Sequence, residues 1–155
     1  MQIADSLNRL QAHIDAVPGL FQSFSGEELL LRPAPMKWSR QEILGHLIDS
    51  AINNLKRFTE IQFLPQPFVV IGYRQVELVE VNHYQDIPLE HLLQLWQSLN
   101  QQVVYMARHI PLERLNFPVD PRLDDGSIKD LGWLINDYVT HLEHHLAQVN
   151  NEYKY

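Results

Sequence analysis

Apolar residues recur at helical spacing in four long stretches of this chain, separated by polar segments marked with proline. The first stretch runs from about Gln2 to Gln22 through Ile3, Leu7, Leu10, Ile14 and Val17. Pro18-Gly19 is expected to bend or interrupt it. After a loop holding Pro33 and Pro35, Ser39-Arg40-Gln41-Glu42 opens the second helix. Serine and glutamate at that spacing satisfy free amide groups reciprocally. This helix should reach about Gln62, ahead of Pro65 and Pro67, and bury Ile43, Leu44, Leu47, Ala51, Leu55 and Phe58. The third begins at Pro88, suited to a first helical position, carries Leu92, Leu95, Trp96, Leu99, Val103 and Met106, and ends before Pro111. A proline-rich loop at 111–126 precedes the fourth. Ser127-Ile128-Lys129-Asp130 is an acidic variant of the capping signal, and the helix should run to about Asn150.

The segment from Phe68 to Asp86 breaks this rhythm. Val69-Val70-Ile71 has strand character, but nothing in the pattern offers a second strand to pair with it. It reads as a loop followed by a short helix at Gln75–Asn82. Four amphipathic helices with polar connections predict an all-α, antiparallel four-helix bundle over a single domain, 1–155.

Composition narrows the chemistry. Apolar residues make up 45% of the 155, enough for one core without staples. A formal charge of −7 argues against nonspecific nucleic-acid binding and against adhesion to anionic membranes. No signal pattern opens the chain, and no apolar run approaches the roughly 20 residues of a spanning helix, so a soluble cytoplasmic protein is expected. Without cysteine there is no thiolate ligand or cysteine nucleophile, and any metal must be held by His, Asp or Glu.

Two histidines have ligand spacing. His141 and His145 are four apart in the last helix, one turn apart on the same face, where two imidazoles can share an ion. With His141 at zero and about 100° per residue, Leu131, Ile135, Leu142, Leu146 and Val149 fall at roughly 80–140°, the core direction. His145 lies between, whereas His144 falls at about −60°, on the polar side with Asp137 and Thr140. Leu142 follows His141 where a zincin motif needs glutamate, and Glu143 faces the opposite way. A third ligand must come from elsewhere, with His46 the candidate. His46, Ser50, Asn53 and Arg57 form one polar stripe beside the apolar face of the second helix. Such a stripe suits a lined cavity, and it also suits an ordinary exposed edge. His13, His83, His91, His109 and His144 read as surface residues.

Lys37-Trp38-Ser39 with Glu42-Ile43-Leu44-Gly45-His46-Leu47-Ile48-Asp49-Ser50, then Trp96 to Asn100, then His141 to Val149, resemble the DinB-like superfamily, which includes YfiT-type proteins. The resemblance covers nearly the whole chain in order. It implies a four-helix bundle holding a divalent metal, usually zinc or nickel, through His46, His141 and His145, and often a dimer. Characterised relatives include transferases and isomerases that use a low-molecular-weight thiol such as bacillithiol or mycothiol. Similar sequences often carry acidic residues around a Tyr-Asp pair after the second helix. Here Ile71-Gly72-Tyr73-Arg74-Gln75-Val76-Glu77 departs from that pattern.

Three histidines leave a coordination position open, as in catalytic rather than closed sites. The expected function is therefore a metal-dependent thiol S-transferase or hydrolase acting on a small molecule. Asp49 and Asp137 are candidates to orient a ligand imidazole, against the ordinary reading of both as solvated carboxylates. Asn53 and Arg57 could meet a substrate carboxylate or carbonyl, and Tyr73 and Arg74 could line the mouth. The alternative is a non-enzymatic bundle, metal-stabilised or metal-free, that serves binding or dimerisation.

Overall fold

The computed structural model of the protein describes residues 3–150, so the expected helix start at Gln2 lies outside the described residues. Four long helices build the bundle: α1 (Ala4–Gln22), α3 (Arg40–Glu60), α5 (Leu89–Arg108) and α6 (Leu131–Val149). Around it lie α2 (Gly26–Leu30), α4 (Gln75–Val81) and three short strands, β1 (Phe68–Val69), β2 (Pro118–Asp120) and β3 (Lys129–Asp130). Leu10, Val17, Leu44, Phe58, Leu92, Trp96, Ile135 and Leu142 form the centre of one core drawn from all four long helices.

Helix directions follow from the contacts between them. Gln11 meets Gln101 and Ile14 meets Gln97, so α1 and α5 are antiparallel. Arg40 reaches the Val149 carbonyl while Phe58 stacks on Tyr138, so α3 and α6 are antiparallel too. By contrast α3 and α5 run the same way, with Gln41 at Ile87 and Gln62 at Met106. So do α1 and α6, with Ser6 at Asn136 and His13 at Glu143. The long segment between α3 and α5 makes this possible, because it crosses back along the bundle.

Three local expectations are corrected. Pro18 does not interrupt α1. Proline lacks the amide that would bond the Ile14 carbonyl, and the Gln97 side chain donates to that carbonyl instead, at 3.0 Å. The strand-like Val69 is in a strand: β1 pairs in parallel with β2, whose other edge takes β3 antiparallel. The missing partner lay some fifty residues away at Pro118–Asp120, too short and proline-broken to show as a periodic run. Finally, α6 is capped by Asp130, which accepts from the Trp133 amide at 2.7 Å, and not by Ser127. The residues just before it are committed to β3.

The second helix keeps its predicted start. The Ser39–Glu42 capping box forms, and Arg32 pairs with the buried Glu42 carboxylate. The same motif, Ser25 with Glu28, caps the short α2 inside what the pattern presented as loop. Pro88 precedes α5 as its cap rather than starting it.

Candidate metal centre

The antiparallel crossing of α3 and α6 brings the N-terminal half of one helix against the C-terminal half of the other. His46 therefore meets His141 and His145. Their ligand-capable nitrogens all lie within 4.8 Å of one another, a group that could hold a metal ion. His145 Nε2 is 3.1 Å from His46 Nε2 and 3.1 Å from His141 Nε2. His46 is fully buried and the other two are half-buried. Trp38, immediately before the cap of α3, covers the outer side, its ring centroid 4.9 Å from that of His46.

The protonation of this cluster is compatible with a bound cation. Burial, reinforced by the neighbouring imidazoles, lowers the His46 pKa to about 3 and that of His141 to about 4. Burial also lowers that of His145. All three are neutral at pH 7, the state that coordinates metal. Hydrogen bonding alone does not satisfy them. Each His145 tautomer offers at Nε2 either one proton or one lone pair, yet two Nε2 atoms face it at bonding distance. One of the two contacts is therefore always poorly matched. Nitrogens bound to one tetrahedral zinc at about 2.0–2.1 Å would sit roughly 3.3 Å apart, close to the separations seen. The donor set fits a divalent ion of the imidazole-binding kind.

Gln148, one turn beyond His145, holds that ring: its Oε1 lies 3.0 Å from His145 Nδ1. Its amide nitrogen lies 3.3 Å from His144 Nε2. A carbonyl oxygen only accepts, so Nδ1 carries the proton and Nε2 is left to coordinate. This contact was legible as an i,i+3 pair on one helix, but glutamine at a polar edge is too common to stand out.

Neither carboxylate proposed for that orienting work bonds a ligand imidazole among the described residues. Asp49 is buried beside α4 and accepts from Tyr84 Oη at 2.6 Å and from Asn82 at 3.3 Å. Burial raises its pKa, with the Tyr84 bond acting in the opposite direction. Gly45 allows this arrangement, since a Cβ there would overlap the Tyr84 ring. The second Asp49 oxygen, like His46 Nδ1, has no hydrogen-bond partner among the described residues. Asp137 is on the wall of a cavity and bonds no imidazole among the described residues. Burial raises its pKa as well.

That cavity, about 310 Å³, opens beside the cluster at His141. Ser50, Asn54 and Arg57 of α3 line one wall and Asp137 and Tyr138 of α6 the other, with Tyr73 also part of the lining. Tyr73 bonds Ser50 and lies under the Arg57 guanidinium, which is 5.4 Å from its ring. Asn53 turns away to the Asp49 carbonyl and a different cleft. Arg74 does not line the mouth: it pairs with Glu77 on the surface.

The remaining histidines divide unexpectedly. His83, His91, His109 and His144 are exposed as expected. His13 is not: it is 5% exposed and bonds Glu143 at 2.9 Å. It occupies the i+3 position from Leu10 on the apolar face of α1, a signal that its polarity masked.

A four-helix bundle with three convergent imidazoles on facing helices defines the protein's class, a helical bundle with a candidate metal centre. The chain belongs to the DinB superfamily, whose sequence model matches residues 9–149. Its fold is similar to that of YfiT from Bacillus subtilis, described as a probable metal-dependent hydrolase with an unusual four-helix bundle topology. The two superpose with a TM-score of 0.84 at 18% identity, over 97% of this chain and 85% of that one. No functionally curated protein matches the sequence significantly. No helix among the described residues is long and apolar enough to cross a membrane.

Proposed function

We propose that the protein is a divalent-metal-dependent hydrolase of small molecules, with His46, His141 and His145 as the metal ligands and zinc or nickel as the ion. One observation carries this reading. Three neutral imidazoles converge with no hydrogen-bonding arrangement that satisfies them, beside a cavity that His141 lines. An ion bound there would act as a Lewis acid and lower the pKa of a coordinated water or thiol.

The chain's own residues supply the rest. Gln148 fixes the His145 tautomer, and Trp38 shields the outer side from solvent. Asp137, one turn before His141 on the cavity wall, is placed to take up a proton. Burial raises its pKa, which makes it a stronger base than an exposed aspartate. Tyr73 and Ser50 are hydroxyls available to a bound substrate.

Thiol S-transfer is the second reading. It is favoured by the resemblance to thiol-using relatives and by the lack of any cysteine, so that a low-molecular-weight thiol would occupy the open position. Both readings meet one experiment. Protein purified without an affinity tag is loaded with zinc or nickel, dialysed, and assayed by elemental analysis. It is then screened with activated esters and amides, and with electrophiles in the presence of thiols. One retained ion per chain with ester turnover supports the hydrolase, and turnover only with added thiol supports the transferase. No retained ion after loading overturns both.

A further inference from the structure

Arg57 is the one residue of the cavity whose electrostatics the proposed chemistry leaves unused. Its guanidinium donates to the Ile71 carbonyl at 2.5 Å and to Asn54 Oδ1 at 3.3 Å. Both acceptors are neutral. Arg9, Arg32, Arg74 and Arg122 each lie within ion-pair distance of a carboxylate; Arg40, Arg57, Arg108 and Arg114 have none among the described residues, and of these four Arg57 is the one that lines this cavity. It is half-buried, and burial disfavours its charge. A desolvated cation with no anion, lining a cavity, is a charge held ready for one.

Its placement says where that anion sits. Arg57 is eleven residues beyond His46 on α3, about 16 Å along the helix, and its bond to Asn54 shows the side chain leaning back toward the histidines. On the facing wall stands Asp137, one turn before His141. Arg57 is the one lysine or arginine lining this cavity among the described residues, so an anion entering it is held at the Arg57 end.

We infer that Arg57 is a specificity-determining residue, and that the substrate is an extended molecule carrying a carboxylate or phosphate at the end remote from the histidine cluster. This rests on the metal-centre reading, because it takes the histidine end as the reacting end. Guanidinium binds either anion through paired N–H donors.

The test uses zinc-loaded protein and calorimetric binding of a length series of ω-carboxyalkyl hydroxamates, each beside its methyl ester. The hydroxamate anchors on zinc and the far end samples Arg57. Matched ω-phosphonates distinguish phosphate from carboxylate preference. At one chain length the acid should bind at least about tenfold tighter than the ester, the size of a charge-assisted hydrogen bond. Arg57→Gln should erase that gap while leaving ester binding intact, and Arg57→Lys should retain part of it. If Arg57→Gln does not fold, because the Ile71 tether is lost, the acid–ester gap in the native protein and in Arg57→Lys decides the matter. Equal binding of acid and ester at every length overturns the role of Arg57 and leaves the metal centre standing. Failure to bind zinc or any hydroxamate overturns both.

Discussion

The two faces of α6 each present buried polar groups to a neighbouring helix, and they are built on opposite principles. Toward α1, Glu143 accepts from Arg9 Nε at 3.0 Å and Nη2 at 2.5 Å, and bonds His13 at 2.9 Å. Asn136 completes the set by accepting from Ser6 and Arg9. Donors and acceptors match, and opposite charges sit side by side. Toward α3, His141 and His145 meet His46 with donors and acceptors that do not match, and with no carboxylate among the described residues bonded to any of the three. Both faces contain a buried histidine. What separates a structural histidine from a candidate ligand is therefore not burial or helix position but whether the surrounding groups already satisfy it. The first face orients α6 against α1, and the second leaves polar atoms that the proposed metal would satisfy.

The sharpest way to break this contrast is to remove one member from each face. His141→Ala should weaken zinc binding by more than about 100-fold, beyond the 10–100-fold typical of residues that only support a ligand. Helicity by circular dichroism should be unchanged. Retained metal in this variant would show that the cluster is not the binding site. Glu143→Leu should do the reverse. It strands the buried His13 and the Arg9 guanidinium, and should cost about 3 kcal/mol in urea unfolding. That is the low end for a broken buried pair, because Arg9 is one-third exposed and can be rehydrated. Zinc stoichiometry should persist wherever the variant is folded.

Smaller effects refine the comparison. Gln148→Leu leaves the ligands in place but frees the His145 tautomer, so zinc affinity should fall about tenfold with little change in unfolding midpoint. A loss of stability without a loss of affinity would make Gln148 merely structural. The pH profile of the metal-free protein should separate the two faces. His46 and His141 have folded pKa values of about 3 and 4 against an ordinary 6.5. The unfolded chain therefore binds more protons below about pH 6.5, and stability should decline from there until both are protonated in the folded state. For Glu143, burial opposes ionisation, but Arg9 and His13 outweigh it and hold its pKa below the ordinary 4.5. Its contribution is present above pH 4.5 and should be lost only as pH falls through the lower folded value. His141→Gln should flatten the upper part of the profile and leave the lower part. An unaltered slope between pH 6.5 and 4.5 would contradict the buried, neutral state of the cluster.

The four long helices, the capping box at Ser39 and the i,i+4 pair were legible because each is a local relation. Apolar period, the reach of a side chain to its own backbone and the distance of one helical turn are set within a few residues. The short β1 helix-breaking segment was half legible: Val69 had strand character, but its partner β2 is remote and too short to announce itself. His13 was misread for a related reason, since one residue's polarity outweighed its place on the apolar face of α1 until Glu143 was found opposite it.

What the sequence determined alone was the four long helices and the apolar stripe each of them buries, because both depend on spacing along the chain. Only the tertiary structure decided the directions of the helices and the pairing of their polar edges. The parallel run of α3 and α5 depends on a crossover whose path has no periodic signal. The meeting of His46 with His141 and His145 depends on the antiparallel register of α3 against α6. So does the difference between the two faces of α6, because whether a buried polar group is satisfied is a property of what packs against it.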